Sequence, residues 1–192
     1  MNALAVLMAA TAVQSGYPVT EVLSEFRLIC LDQPSMAAIG DAASKNGWKS
    51  IDPSAEPRVS KVVSAGKVML AKLNVIPETA TYSKTTSGRT LSLVVFRGTV
   101  PFNGAPKPMT NCNIYDFDAA APLDANVVSG WAGRKPTNII IQGGLQAMEW
   151  APGLSPRLPS KSRIGFVPNT PQFRSQPVHG IALVSNTFEE EK

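Results

Sequence analysis

Apolar residues follow a helical period in the first third of this chain and a strand-like period in much of the remainder. Met36, Ile39 and Ala43 recur at the i, i+3, i+7 spacing of one helix face. Asp32, which precedes a Pro-Ser pair, is the acceptor that we expect to begin this helix. Gly47 predicts the end of the helix, because glycine readily adopts the left-handed conformation that follows a last helical turn.

The segment before this helix, residues 19–31, becomes apolar on both faces toward its end. Thr20 and Glu21 are typical of a helix start, whereas residues 26–31 also fit a buried strand, and periodicity alone leaves both open. The start signals favour a helix. Trp48, directly after the next helix, is predicted to anchor that helix in the core.

Strands are predicted farther along the chain from alternating apolar positions and from β-branched and aromatic residues. The clearest strand spans residues 89–100. Residues 110–118 follow across a turn at residues 102–109, and we expect the two strands to pair antiparallel. Further strands are predicted at residues 145–150 and 179–188.

The other segments are predicted as connections and short elements. We expect a surface connection with a short helical turn at residues 49–66, a short strand at 67–74, and a Thr- and Ser-rich loop or hairpin connection at 77–88. A short helix is predicted between Leu123 and Gly133. Residues 152–177 contain six prolines and several basic residues, and they are predicted to form a long surface loop.

Helices followed by strands predict an α+β fold, with N-terminal helices packed on an antiparallel sheet of about four to five strands. The chain has 192 residues, 44% apolar and 17% charged, which is typical of one globular domain. No stretch approaches the roughly 18 apolar residues of a membrane-spanning helix. We therefore predict a single domain over residues 13–192.

The N-terminal residues 1–12, MNALAVLMAATA, are apolar or small and end in an A-x-A pattern. This pattern is typical of a secretory signal segment, although no basic residue precedes the apolar run. The alternative is a short N-terminal helix of a cytoplasmic protein. Export favours a periplasmic or secreted location.

The two cysteines, Cys30 and Cys112, are too distant in sequence for a redox CxxC motif, and no histidine cluster accompanies them for zinc. In an exported domain they most simply form one disulfide, which the chain-entropy model values at about 4 kcal/mol. Two buried free thiols in a cytoplasmic protein are the alternative.

Four features follow one another along the chain: Phe26, Cys30, a helix ending in Gly47-Trp48, and a second cysteine in a predicted strand. In this order the chain resembles a group of small exported alphaproteobacterial proteins of unknown function. The resemblance covers about the first third of the chain and Cys112. It implies export and a disulfide, and it carries no activity to this chain.

Candidate catalytic residues are few. His179 is the single histidine, and no GxSxG motif is present to supply a serine nucleophile. Asp116 and Asp118 lie two residues apart on a predicted strand and would share a face, where paired carboxylates can bind a hard cation or divide acid and base roles. A solvated strand end is the simpler interpretation of this pair.

The positive charge is concentrated in the second half of the chain, although the net charge is only +4. Residues 125–188 contain a single acid, Glu149, and six basic residues that could contact an anionic surface: Arg134, Lys135, Arg157, Lys161, Arg163 and Arg174. Such a segment could bind lipid headgroups, glycans or nucleic acid. A solvated basic loop is the alternative.

These observations leave three hypotheses and predict no cofactor. The first is an exported, non-enzymatic α+β domain that binds an envelope partner or ligand. The second is a hydrolase or metal-dependent enzyme using Asp116, Asp118 and His179. The third is a cytoplasmic domain that binds a polyanion through its basic segment.

Overall fold

The computed structural model describes residues 16–102, 105–155 and 157–188, so the predicted signal segment, residues 1–12, lies outside the described residues. The helices are α1 (Val19–Phe26, continued by a π-helical turn, Arg27–Leu31), α2 (Met36–Lys45), α3 (Pro57–Ala71) and α4 (Ala125–Ala132). The strands are β1 (Lys49–Ser50), β2 (Glu78–Thr86), β3 (Arg89–Phe102), β4 (Ala105–Asp116), β5 (Asn138–Gln142), β6 (Leu145–Trp150), β7 (Ser160–Val167) and β8 (Gly180–Phe188).

All eight of these strands form one antiparallel sheet in the order β1-β2-β3-β4-β8-β7-β6-β5. The prediction of four to five strands under N-terminal helices is therefore wrong. The sheet is nearly twice as wide, α4 lies between β4 and β5 in the chain, and α3 contacts the opposite side of the sheet from α1 and α2. The missed strands lie in segments where polar residues, prolines or shortness hide the alternation.

The first face of the sheet carries the main core. One row of directly opposed side chains crosses five neighbouring strands, and each member is at most 1% exposed: Leu93, Ile114, Leu183, Ile164 and Met148. Helices α1, α2 and α4 pack over this face together with the π-helical turn. Burial of large aliphatic side chains of this kind contributes about 1.5–3 kcal/mol each, before entropy costs.

The N-terminal helical unit forms largely as its local signals predict. Helix, not strand, is confirmed for residues 19–31. The Ser35 hydroxyl, and not Asp32, accepts the capping hydrogen bond from the Ala38 amide at 3.3 Å. Gly47 has a φ of +78°, and Trp48 is 3% exposed in the core, as predicted.

The predicted disulfide is present and ties this helical unit to the sheet. Cys30 in the π-helical turn bonds to Cys112 in β4, with a Cα–Cα distance of 5.4 Å. Both residues are at most 2% exposed. The bridge thus fixes the helices on the first face at the centre of the sheet.

Helix α3 corrects two predictions, the surface connection at residues 49–66 and the strand at 67–74. Glu56 accepts a hydrogen bond from the Arg58 amide, and Pro57 occupies the first turn. Val59, Val62 and Val63 then lie on one helix face and pack against the second face of the sheet. Their helical spacing outweighs the brief alternation after Lys67.

The predicted loop at residues 152–177 is wrong over its central part, which forms β7 and then a 3₁₀ turn at Pro171–Phe173. Ser160, Ser162, Ile164 and Phe166 alternate with more exposed residues and point to the first face. The prolines flank the strand and do not interrupt it. Similarly, β2 replaces the loop predicted at residues 77–88, because its threonines are good strand formers.

The hairpin of β3 and β4 is longer than predicted. Antiparallel pairing is confirmed, but it continues to the register pair of residues 102 and 105 instead of ending at a turn spanning residues 102–109. Pro101 and Pro106 are themselves register partners. Proline therefore does not end these strands.

Candidate functional site

Asp116, the first candidate catalytic residue, is a buried structural carboxylate. It is 0% exposed and accepts hydrogen bonds from Arg89 Nε (2.8 Å), Arg89 Nη2 (2.7 Å), the Tyr17 hydroxyl (2.9 Å) and the Asp118 amide (3.0 Å). Burial, followed by the Asp116 charge and hydrogen bond, raises the pKa of Tyr17 above its ordinary value. The carboxylate holds the N-terminal segment against the end of β4.

Asp118 and His179 have separate partners. The Asp118 carboxylate pairs with Arg58 at 2.6 Å, and both side chains are about half exposed, at 58% and 45%. His179 Nε2 donates to the carbonyl oxygen of Phe173 at 2.9 Å. Among the described residues, no group of three or more His, Cys, Asp or Glu side chains is placed to hold a metal ion.

The six candidate anion-binding residues do not form one patch. Arg134 donates to the carbonyl oxygens of Pro152 (2.8 Å) and Gly153, which fixes the loop between β6 and β7. Arg157 lines a shallow depression beside Arg134, while Lys135 and Arg174 are exposed elsewhere. Lys161 and Arg163 are the two that share one surface, because both project from β7 onto the second face of the sheet.

That second face contains an apolar groove of about 500 Å³, which sequence reasoning did not predict. Helix α3 forms one wall and the sheet forms the floor. The wall is lined by Val62, Ala65, Gly66, Met69 and Leu70, and the floor by Phe96, Asn111, Asn113, Tyr115, Val184 and Asn186. Its volume is in the range of small-molecule sites, about 300–1,000 Å³.

Gly66 allows α3 to approach the sheet closely. A Cβ at this position would lie 2.4 Å from the Cζ of Phe96, far inside van der Waals contact. Glycine in a helix interior is less favourable than alanine by about 1 kcal/mol. In return, the helix packs directly on the Phe96 ring at the closed side of the groove.

Three asparagine side chains form a hydrogen-bonded chain along the groove floor. Asn113, 3% exposed, donates to the carbonyl oxygen of Val94 at 3.1 Å and to Oδ1 of Asn111. Asn111 donates to Oδ1 of Asn186 at 2.6 Å. Among the described residues, none accepts a hydrogen bond from the Asn186 Nδ2, so the chain ends in an available donor.

The chain of amides leads to a charged depression of about 390 Å³ that shares Val184 and Asn186 with the groove. Lys161 lies directly opposite Asn186 in the β7–β8 register. Arg163 pairs with Glu149, and a hydrogen bond from Asn138 together with this ion pair lowers the pKa of Glu149. Within the described part of the chain, the Lys161 ammonium forms no salt bridge, although its charge also lowers the pKa of Glu149 in the same depression.

Tyr115 adds a neutral hydroxyl to the groove. Its ring stacks on Phe117, with ring centroids 5.4 Å apart and planes 6° from parallel. A phenol is protonated at neutral pH and can donate a hydrogen bond, and burial raises the pKa of Tyr115 further above its ordinary value. Its hydroxyl makes no hydrogen bond to any described residue.

One row of directly opposed side chains in the sheet runs from an apolar residue through two amides to a cation. Phe96, Asn111, Asn186 and Lys161 are successive cross-strand partners on β3, β4, β8 and β7. Directly opposed residues share a face, so these four side chains project into the same concave surface. The sequence signal was present in Asn111 and Asn113, which are amides at alternate positions of β4 on either side of Cys112.

Comparisons with models of protein families, with curated protein sequences and with solved structures find no match for this chain. Across residues 16–102, 105–155 and 157–188, no helix has the length and apolar character needed to cross a membrane.

Proposed function

We propose that this protein is an exported binding domain that holds an amphipathic small molecule with an apolar body and an anionic head. The observation that carries this proposal is the register row from Phe96 through two asparagines to Lys161. An apolar ring, neutral amides and a cation follow one another along the groove floor in the order that such a ligand presents.

The apolar body is accommodated between α3 and the sheet. Phe96, Tyr115 and Val184 offer an apolar surface on the floor, and Ala65 and Met69 offer one on the wall. Removing apolar surface from water contributes about 25 cal/mol per Å². This term rewards an alkyl or aromatic group and gives little selectivity among such groups.

The head is accommodated at the other end of the row. The Asn186 amide and the Lys161 ammonium are donors and have no acceptor among the described residues. Three strand spacings of about 4.8 Å separate Phe96 from Lys161, or about 14 Å in total. This span matches a medium-chain alkyl acid lying across the strands.

Export is part of the proposal and is supported by the Cys30–Cys112 disulfide, because disulfides form and persist in oxidising compartments. The apolar residues 1–12 and the resemblance to small exported alphaproteobacterial proteins point the same way. A periplasmic or secreted carrier or sensor of amphipathic molecules is consistent with all of these features.

The proposal is tested by displacement of a fluorescent probe, dansyl-undecanoic acid, by undecanoic acid and by undecanol. We expect saturable probe binding. Ala65→Phe, which fills the groove, should abolish binding, while Ala71→Phe, the same change at an exposed position of α3, should not. Both variants require a native circular dichroism spectrum.

The head group is tested with a charge reversal. Lys161→Glu should weaken the binding of undecanoic acid by about tenfold. The substitution removes an exposed ion pair between Lys161 and the ligand carboxylate, worth up to about 1 kcal/mol, and adds a repulsion between two carboxylates. Undecanol should bind equally well to both proteins. Lys135→Glu, which makes the same charge change away from the groove, is the control. Equal effects of the two reversals, or no saturable probe binding, would refute the proposal.

A further inference from the structure

Strand β5 is an exposed edge of the eight-stranded sheet. It pairs with β6 on one side, and within residues 16–102, 105–155 and 157–188 no strand pairs with its other side. Its apolar residues are unusually exposed for their size: Ile139 by 50%, Ile140 by 38% and Ile141 by 69%. An unpaired edge with isoleucines on both of its faces readily accepts another strand.

The opposite edge of the sheet is protected. Strand β1 is only two residues long, contains Lys49, and is followed by Pro53. Short length, lysine and proline are devices by which natural sheets prevent edge-to-edge pairing. From Asn138 to Gln142, β5 has no proline and no charged residue. The two edges of one sheet therefore differ in the way expected if β5 has a partner.

The sequence of β5 is self-complementary. It reads Asn-Ile-Ile-Ile-Gln. If two copies pair antiparallel about a twofold axis at Ile140, then Ile139 lies opposite Ile141, and Asn138 lies opposite Gln142. Isoleucine thus meets isoleucine, amide meets amide, and no like charges are opposed.

We propose that two copies of this protein associate through β5, joining two eight-stranded sheets into one continuous antiparallel sheet. Such an interface is isologous and closes as a dimer. Five paired residues form a small contact, at the low end of interfaces below about 1,200 Å², so the dimer is transient and depends on concentration. The groove floor lies on β3, β4 and β8, and β7 and β6 separate it from β5, so dimerisation leaves the groove open.

Cysteine cross-linking tests the pairing and its register. Ile140→Cys should form a covalent dimer under mild oxidation, because the two new thiols lie opposite each other. Asn138→Cys alone and Gln142→Cys alone should remain monomeric, since each residue is then about 13 Å, or four residues, from its own copy. A mixture of these two variants should cross-link. The native cysteines are buried and paired, so the introduced thiol is the accessible one.

Sedimentation provides a second measurement that needs no cysteine. The unmodified protein should shift toward a dimer as its concentration rises, and Ile140→Lys should remain monomeric with an unchanged circular dichroism spectrum. A protein that stays monomeric at high concentration, together with an Ile140→Cys variant that forms no cross-link, would overturn the proposal. Cross-linking of Asn138→Cys with itself would also overturn it, because the register would differ.

Discussion

Asp116 provides the sharpest test of whether the carboxylates at the end of β4 are structural. Asp116→Asn keeps the shape of the side chain but removes its charge, and it places an amide group beside the Arg89 guanidinium. The two Asp116 oxygens accept four hydrogen bonds, two from Arg89, one from Tyr17 and one from the Asp118 amide. An asparagine can accept through only one of its two terminal atoms.

The expected cost follows from burial. Removing one partner of a buried ion pair costs about 3–5 kcal/mol, because the other charge is left uncompensated. The Arg89 side chain is 22% exposed, whereas Asp116 is 0% exposed, so water can partly compensate the remaining cation. We therefore expect the free energy of unfolding to fall by about 3 kcal/mol, a large part of the 5–15 kcal/mol typical of a domain.

Urea denaturation measures this change, and neighbouring variants control for it. Asp118→Asn, two residues away, removes a half-exposed pair with Arg58 and should cost less than about 1 kcal/mol. A double-mutant cycle with Arg89→Met isolates the Asp116–Arg89 interaction. The structural interpretation fails if Asp116→Asn is no more destabilising than Asp118→Asn.

Two further predictions concern pH and processing. Burial raises the pKa of Tyr17 and Tyr115. In the unfolded chain these phenols ionise near pH 10, below their pKa in the folded protein. Their contribution to the free energy of unfolding is therefore complete below about pH 10 and is lost as the pH rises above it. The urea midpoint should fall as the pH rises above about 10, and it should fall less in Tyr17→Phe and in Tyr115→Phe. If the midpoint of both variants falls with pH as steeply as that of the unmodified protein, this explanation is contradicted. Export predicts that the natively produced protein lacks residues 1–12 by intact mass and that neither cysteine is alkylated before reduction. A full-length chain whose thiols react once it is unfolded would instead favour a cytoplasmic location.

Local signals were sufficient for several elements. The spacing of Met36, Ile39 and Ala43 and the glycine at position 47 predicted α2, and alternation predicted β3, β6 and β8. These features depend on residues within a few positions of one another. The pairing of Cys30 with Cys112 could also be predicted, because the chain offers one pair of cysteines.

The width of the sheet and the groove were decided only by the tertiary structure. The composition of residues 77–88 and 152–177 favours loops. These segments nevertheless contain strands, because pairing with other strands of the sheet stabilises them. Phe96, Asn186 and Lys161 become adjacent only through the register of β3, β4, β8 and β7. The chain by itself determined which segments could be helices or strands. The order and register of its strands determined which side chains share a surface, because those depend on long-range hydrogen bonding that no local pattern encodes.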